Sequence, residues 1–196
     1  KHMFRRRVKR MIKEFRLYGV NGMQPTVEKG SALEWRPPVK IDGIITSPPY
    51  INNIDYTKVY GLELSLISSV YDVKRIRLKS IRSFLGRDAK VVVKDRSLAS
   101  LIEEYVDNPP LLVYAYFEDM KCFIEHSKDV VRPGGPIVIV VSNAVLPGAN
   151  VPVDEILVKL GEKVGLDGTI IVGLKRYVDV PVKGKMPVRE SAVIFS

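Results

Sequence analysis

A chain of 196 residues, 46% hydrophobic and 27% charged, suits one domain that buries roughly 70% of its unfolded surface, and so much apolar content excludes a disordered polymer. The single cysteine, Cys122, excludes a disulfide scaffold. The longest aliphatic run, residues 137–141, falls far short of the roughly 20 residues of a membrane span.

The formal net charge is +9, and it is unevenly placed. Residues 1–16 hold eight basic side chains against Glu14, for +7, leaving +2 on the rest. A concentrated basic segment attracts a polyanion by counterion release, which makes nucleic acid the first partner to weigh against a merely solvated face. No apolar core of the signal-peptide kind follows the basic start, so a cytoplasmic location is expected. His2-Met3 has the look of a cloning junction, which would put the natural start at Met3.

In chain order, Phe4, Val8, Met11, Ile12 and Phe15 recur three or four apart and predict a helix over 4–17, with Arg5, Arg6 and Arg7 on its basic side. Residues 1–25 therefore form a basic helical segment, and 26–196 the main domain. A short extended stretch covers 26–29, and a strand over 42–46 runs into Ser47-Pro48-Pro49-Tyr50. A helix is expected over 57–71. A basic stretch over 74–94 follows, with Lys74, Arg75, Arg77, Lys79 and Arg82. Periodicity then predicts a helix over 111–131, an all-aliphatic strand over 137–141 and a helix over 153–164. Late strands follow over 169–180, long enough to be a hairpin arm, and over 191–195. Strands alternating with helices, one of them apolar throughout, argue for an α/β fold with a mostly parallel sheet and helices on both faces.

The segment richest in chemistry is Ser47-Pro48-Pro49-Tyr50. It leaves the carboxyl end of a buried strand, where open α/β sheets bind ligands. Two prolines fix φ and remove N–H donors, which leaves rigid carbonyl acceptors. Such acceptors suit an amino group on a planar ring, and Tyr50 supplies a stacking face. Asp55 could face the same pocket or cap the next helix. Arg189 and Glu190 read as a structural ion pair and Cys122 as core. His2 and His126 show no metal-ligand spacing, so no metal is expected.

Ser47-Pro48-Pro49-Tyr50 resembles motif IV of the S-adenosylmethionine-dependent amino-methyltransferases of DNA. Serine in first place is similar to enzymes acting on cytosine N4. Asn52, Asn53, Asp55, Tyr56 and the Tyr60-Gly61-Leu62-Glu63-Leu64 run look like one bacterial and archaeal branch. Val131-Arg132-Pro133-Gly134-Gly135 and Arg189-Glu190-Ser191 resemble later turns and strands of that fold. The resemblance implies a Rossmann-like methyltransferase fold, S-adenosyl-L-methionine as cofactor, a flipped base clamped by Tyr50, and catalysis by Ser47, Pro48, Pro49 and Tyr50. It places Ser31, Ala32 and Ser47 towards the cofactor. DNA phosphates would fall to Arg5, Arg6, Arg7, Lys74, Arg75, Arg77, Lys79 and Arg82.

The family's glycine-rich cofactor loop has no counterpart, because no Gly-x-Gly occurs in the chain. Ser31 stands where the family's third motif has Asp. The resemblance thus covers the second half of such an enzyme. Either a companion chain carries the first half, which predicts a heteromer with a shared active site, or that half was lost, which predicts an inactive remnant. The partner expected is that companion chain or a homo-oligomer. The leading expectation is a cytosine-N4 DNA methyltransferase of a restriction–modification system. The alternatives are the same fold acting on adenine N6, an RNA base or a protein glutamine, and a non-catalytic or split-enzyme nucleic-acid-binding subunit.

Overall fold

The computed structural model describes residues 2–19, 25–28, 30–51, 56–67, 80–84, 91–180 and 184–196. The chain forms two units, Lys1–Gly30 and Ser31–Ser196. In the first, α1 (His2–Tyr18) carries the predicted stripe but buries none of it. Phe4 and Phe15 are exposed, as is the Arg10–Glu14 pair at 2.8 Å, an interaction of little worth in water. Gly19 adopts φ +53 and donates its N–H to the Phe15 carbonyl, ending the helix.

The second unit runs through β1 (Ile44–Thr46), α2 (Tyr56–Val59), α3 (Gly61–Ile67), α4 (Arg96–Tyr105), α5 (Leu111–Val130), β2 (Ile137–Ser142), β3 (Ala144–Leu146), β4 (Ala149–Val151), α6 (Val153–Lys163), β5 (Gly168–Val180) and β6 (Gly184–Phe195). The helix expected over 57–71 is two short helices broken at Tyr60, with residues 68–71 outside the described ones.

The main sheet has the order β1-β2-β6-β5. Only β1 and β2 run parallel; β6 is antiparallel to both its neighbours. A mixed α/β sheet thus replaces the mostly parallel one expected. The cause is the β5–β6 connection: residues 181–183 are too few for a crossover, so β6 must return antiparallel. Of the helices expected on both faces, packing places three against the sheet. Helix α6 packs on β2, β5 and β6, while α5 and α4 pack on α6, so the three cover one face.

That face carries the core. Ile137, Ile139 and Val141 alternate inward along β2, and Val193 and Phe195 along β6, meeting Ile156, Leu157 and Leu160 of α6. Gly161 lets the helix approach closely, since a Cβ there would lie 2.2 Å from the Phe195 ring. Helix α4, which the sequence reading did not anticipate, begins at Asp95, whose carboxylate accepts the Leu98 N–H at 3.0 Å. It buries Leu98, Leu101 and Ile102. Cys122, expected in the core, is exposed. It shares the outward stripe of α5 with Glu125 and Asp129, three and seven residues on, while Phe123, Ile124 and His126 point inward. No helix among the described residues is long and apolar enough to cross a membrane.

Candidate functional site

Strand β1 delivers Ser47-Pro48-Pro49-Tyr50 at the same end of the sheet as the carboxyl terminus of β2, because the two strands are parallel. Ser47 is exposed, Pro48 buried, and Pro49 and Tyr50 half-buried. Ile51, fully buried, pins the segment from below. The Ser47 hydroxyl donates to the Tyr50 hydroxyl at 3.4 Å, so the first and last residues of the motif converge. The Arg176 guanidinium, carried in by β5, stands 5.7 Å from the centre of the Tyr50 ring, a cation–π distance. Glu190 of β6 holds that guanidinium at 2.6 Å.

Tyr116 of α5 belongs to the same neighbourhood. It is completely buried, and its hydroxyl has no hydrogen-bond partner among the described residues. Burial raises its pKa, and the nearby Tyr50 and Tyr56 phenols add to the rise. Tyr56 and Tyr60 stack with ring centres 6.5 Å apart.

A second polar cluster braces the end of the sheet. Asp154, at the start of α6, accepts from Arg189 at 2.7 and 2.9 Å and from the Ser191 hydroxyl at 2.7 Å, and its N–H donates to the Asn143 side chain at 3.2 Å. Burial pushes this carboxyl up, but the hydrogen bonds from Arg189 and Ser191 outweigh it and hold the pKa below the usual carboxylate range. Arg189 is raised in turn, first by its bond to Asp154. The expected Arg189–Glu190 pair is therefore corrected: adjacent strand residues point to opposite sides, so Arg189 pairs with Asp154 and Glu155 and Glu190 with Arg176. Beside the cluster lies an open groove of about 650 Å³, lined by Tyr105, Asn143, Val172, Leu174, Lys175 and Arg189 among others.

Of the basic residues singled out, Arg5, Arg6 and Arg7 are exposed on α1. Lys74, Arg75, Arg77 and Lys79 lie outside the described residues, as do Asn52, Asn53 and Asp55. Arg82 gives its guanidinium to Asp119 at 2.6 Å and to Glu118 at 2.8 Å, and the Asp119 bond raises its pKa against the opposing effect of burial. His126 is buried against Arg36 and the Trp35 carbonyl. Arg176, Tyr116 and Asp154 carry no motif, and sequence reasoning missed them. Their roles arise from residues far apart in the chain.

The residues meant for the cofactor do not assemble a cradle. The Ser31 carbonyl accepts the N–H groups of Glu34 and Trp35, and its hydroxyl accepts that of Leu33 at 3.3 Å, so it closes a local turn. Gly43 and Gly135 pack tightly, each against backbone, but they precede β1 and β2 and sit at the opposite end of the sheet from Ser47. The described residues thus do not by themselves fit S-adenosylmethionine.

Comparison with known proteins finds the type II methyltransferase M.AvaI of a Nostoc species, 27% identical over 148 residues covering 64% of this chain and 31% of that protein. The M.AvaI protein of Anabaena variabilis gives the same figures. The type II methyltransferase M.BsoBI of Geobacillus stearothermophilus is 24% identical over 191 residues, 76% of this chain and 36% of its own. This chain is distantly similar to type II methyltransferases. It spans about a third of the length of these relatives. No family model and no solved structure matches it. The mixed α/β sheet is compatible with a methyltransferase fold.

Proposed function

We propose that the chain is the acceptor-holding part of a DNA methyltransferase that takes its methyl group from S-adenosylmethionine and delivers it to cytosine N4, as the modification enzyme of a restriction–modification system. The observation that carries this reading is the convergence of Ser47 and Tyr50 around two prolines at the carboxyl end of β1, in a chain whose relatives are named type II methyltransferases. The cytosine amine is conjugated with its ring and is a poor nucleophile. Acceptors at Ser47 Oγ and the Pro48 carbonyl take its two hydrogens and turn its lone pair out of conjugation. Tyr50 stacks on the extruded ring. What these residues contribute is alignment more than basicity, and alignment supplies much of the rate. The exposed arginines of α1 and the cations of 74–79 provide phosphate contacts. Arg82 gives its guanidinium to Asp119 and Glu118 and so is not left free for a phosphate.

The test is base analysis by mass spectrometry of DNA from cells carrying the gene. With the native chain, N4-methylcytosine is expected, and a Ser47→Ala, Tyr50→Ala double variant lowers it by about 100-fold, the scale of a misplaced reacting group. An unchanged level overturns the motif assignment. Loss of N6-methyladenine in its place moves the acceptor to adenine.

A further inference from the structure

The pairing of β5 with β6 slips by one residue part-way along. Up to the slip, Ile171 stands opposite Ala192 and Val172 opposite Ser191; beyond it, Leu174 stands opposite Glu190 and Arg176 opposite Val188. Gly173 is the extra residue, and a bulge of this kind inverts the face that every later side chain takes. In unbroken register Arg176 would oppose Pro187 and share the face of Arg189 and Ser191, both of which donate to Asp154. With the bulge it shares the face of Glu190 instead. The Glu190 carboxylate accepts its guanidinium at 2.6 Å, and the guanidinium stands over the Tyr50 ring, 5.7 Å from its centre.

The other restraints on Tyr50 leave its ring free to turn. Pro49 before it and the buried Ile51 after it hold the backbone. The Ser47 hydroxyl reaches only the phenol oxygen, at 3.4 Å, which is long for two hydroxyls. A planar guanidinium can lie along a ring face while its outer N–H groups still reach a carboxylate, and the ring's negative face attracts it. Glu190 is the less exposed member of the ion pair, so the carboxylate is the anchor. We propose that Arg176 is a positioning residue for Tyr50. Aimed by the bulge at Gly173 and anchored by Glu190, it occupies one face of the ring, fixes the ring's orientation and leaves the opposite face for the extruded base. It touches neither the base nor the methyl donor, and acts through Tyr50 alone. The inference rests on the methyltransferase reading for the reaction that Tyr50 serves; the clamp on the ring stands on the geometry.

The test joins a double-mutant cycle to a spectroscopic measurement. After a short pulse of expression in cells carrying the gene, N4-methylcytosine is measured for the native chain, Arg176→Ala, Tyr50→Ala and the double variant. Arg176→Ala should lower the yield about 5-fold, the scale of a cation–π contact at an exposed site. In the Tyr50→Ala background it should lower it no further, because residues that act as one are not additive. The same further drop in that background, the mark of a phosphate contact or a merely structural role, overturns the proposal, as does an unchanged yield in Arg176→Ala alone. In the isolated chain with isotope-labelled tyrosine rings, Arg176→Ala should shift the nuclear magnetic resonance signals of Tyr50, assigned by their loss in Tyr50→Phe. Those of Tyr114 and the circular dichroism spectrum should stay as they are. Unmoved Tyr50 signals overturn the proposal. If the native gene yields no methylated base while Arg176→Ala still moves the Tyr50 signals, the methyltransferase reading falls and the clamp stands. If methylation is present and the cycle is additive, the reading stands and the clamp falls.

Discussion

The two faces of the main sheet come from the same strands yet differ in almost every physical respect. On one, Ile137, Ile139, Val193 and Phe195 are sealed beneath α6, with the Asp154–Arg189–Ser191 cluster tying the helix start to the strand ends. On the other, Ile45 and Ile171 stand open, and the Ser47–Tyr50 segment adjoins the unpaired edge. Strand alternation makes this division possible, since residues one apart on β2 or β6 belong to different environments. The covered face holds the chain together, while the open one leaves Ile45 and Ile171 to solvent.

The sharpest way to break that comparison is to truncate equivalent residues on each side. Ile139→Ala, on the sealed face, should cost about 2–5 kcal/mol through lost burial and a residual cavity. Ile45→Ala should stay within about 0.5 kcal/mol, as substitutions on an open surface do. Denaturant midpoints measure both, and equal losses would mean that the open face is covered within the chain.

A smaller effect is expected at the polar brace. Asp154→Ala leaves Arg189 without its main partner and should cost about 2–3 kcal/mol, below the range for breaking a fully buried pair because Arg189 remains partly exposed. Because the Asp154 carboxyl is held below its ordinary value of 3.8, the folded state favours its charged form. Its contribution is therefore present at neutral pH and lost as the pH falls below about 4 through the depressed value. Stability curves against pH should show the native chain losing this increment on acidification and the variant lacking it throughout. Identical acid limbs would contradict the role given to Asp154.

The smallest effect should be favourable. Tyr116→Phe removes a buried hydroxyl with no partner among the described residues and should stabilise the chain by up to about 1 kcal/mol. A loss of stability would show that the hydroxyl is bonded after all, and would tie α5 to the Tyr50 site.

What could be read from the sequence follows the same division. The strand over 137–141 and the helices over 111–131 and 153–164 were legible because sealed elements carry apolar periodicity. Helix α4 was missed although Asp95 precedes Leu98, Leu101 and Ile102 at capping and helical spacing; the basic run ahead of it masked the pattern. The β3–β4 hairpin was also missed, though Pro147-Gly148 separates two apolar triplets and Gly148 takes φ +80. The length of the 169–180 strand hinted at the antiparallel β5–β6 hairpin, but the direction of the whole sheet was not legible, because apolar content does not decide it. Ser47–Tyr50 was legible as a motif after a strand. The Arg176 guanidinium over Tyr50 was not, because β5 brings it there from the far end of the chain.

The central proposal is that this chain holds the methyl acceptor at Ser47–Tyr50 and needs further residues to bind the methyl donor. Calorimetric titration of S-adenosylmethionine into the isolated chain tests it most directly. The account predicts no heat beyond dilution. Saturable binding at micromolar concentration would contradict it, because a complete cofactor site would then exist within these 196 residues.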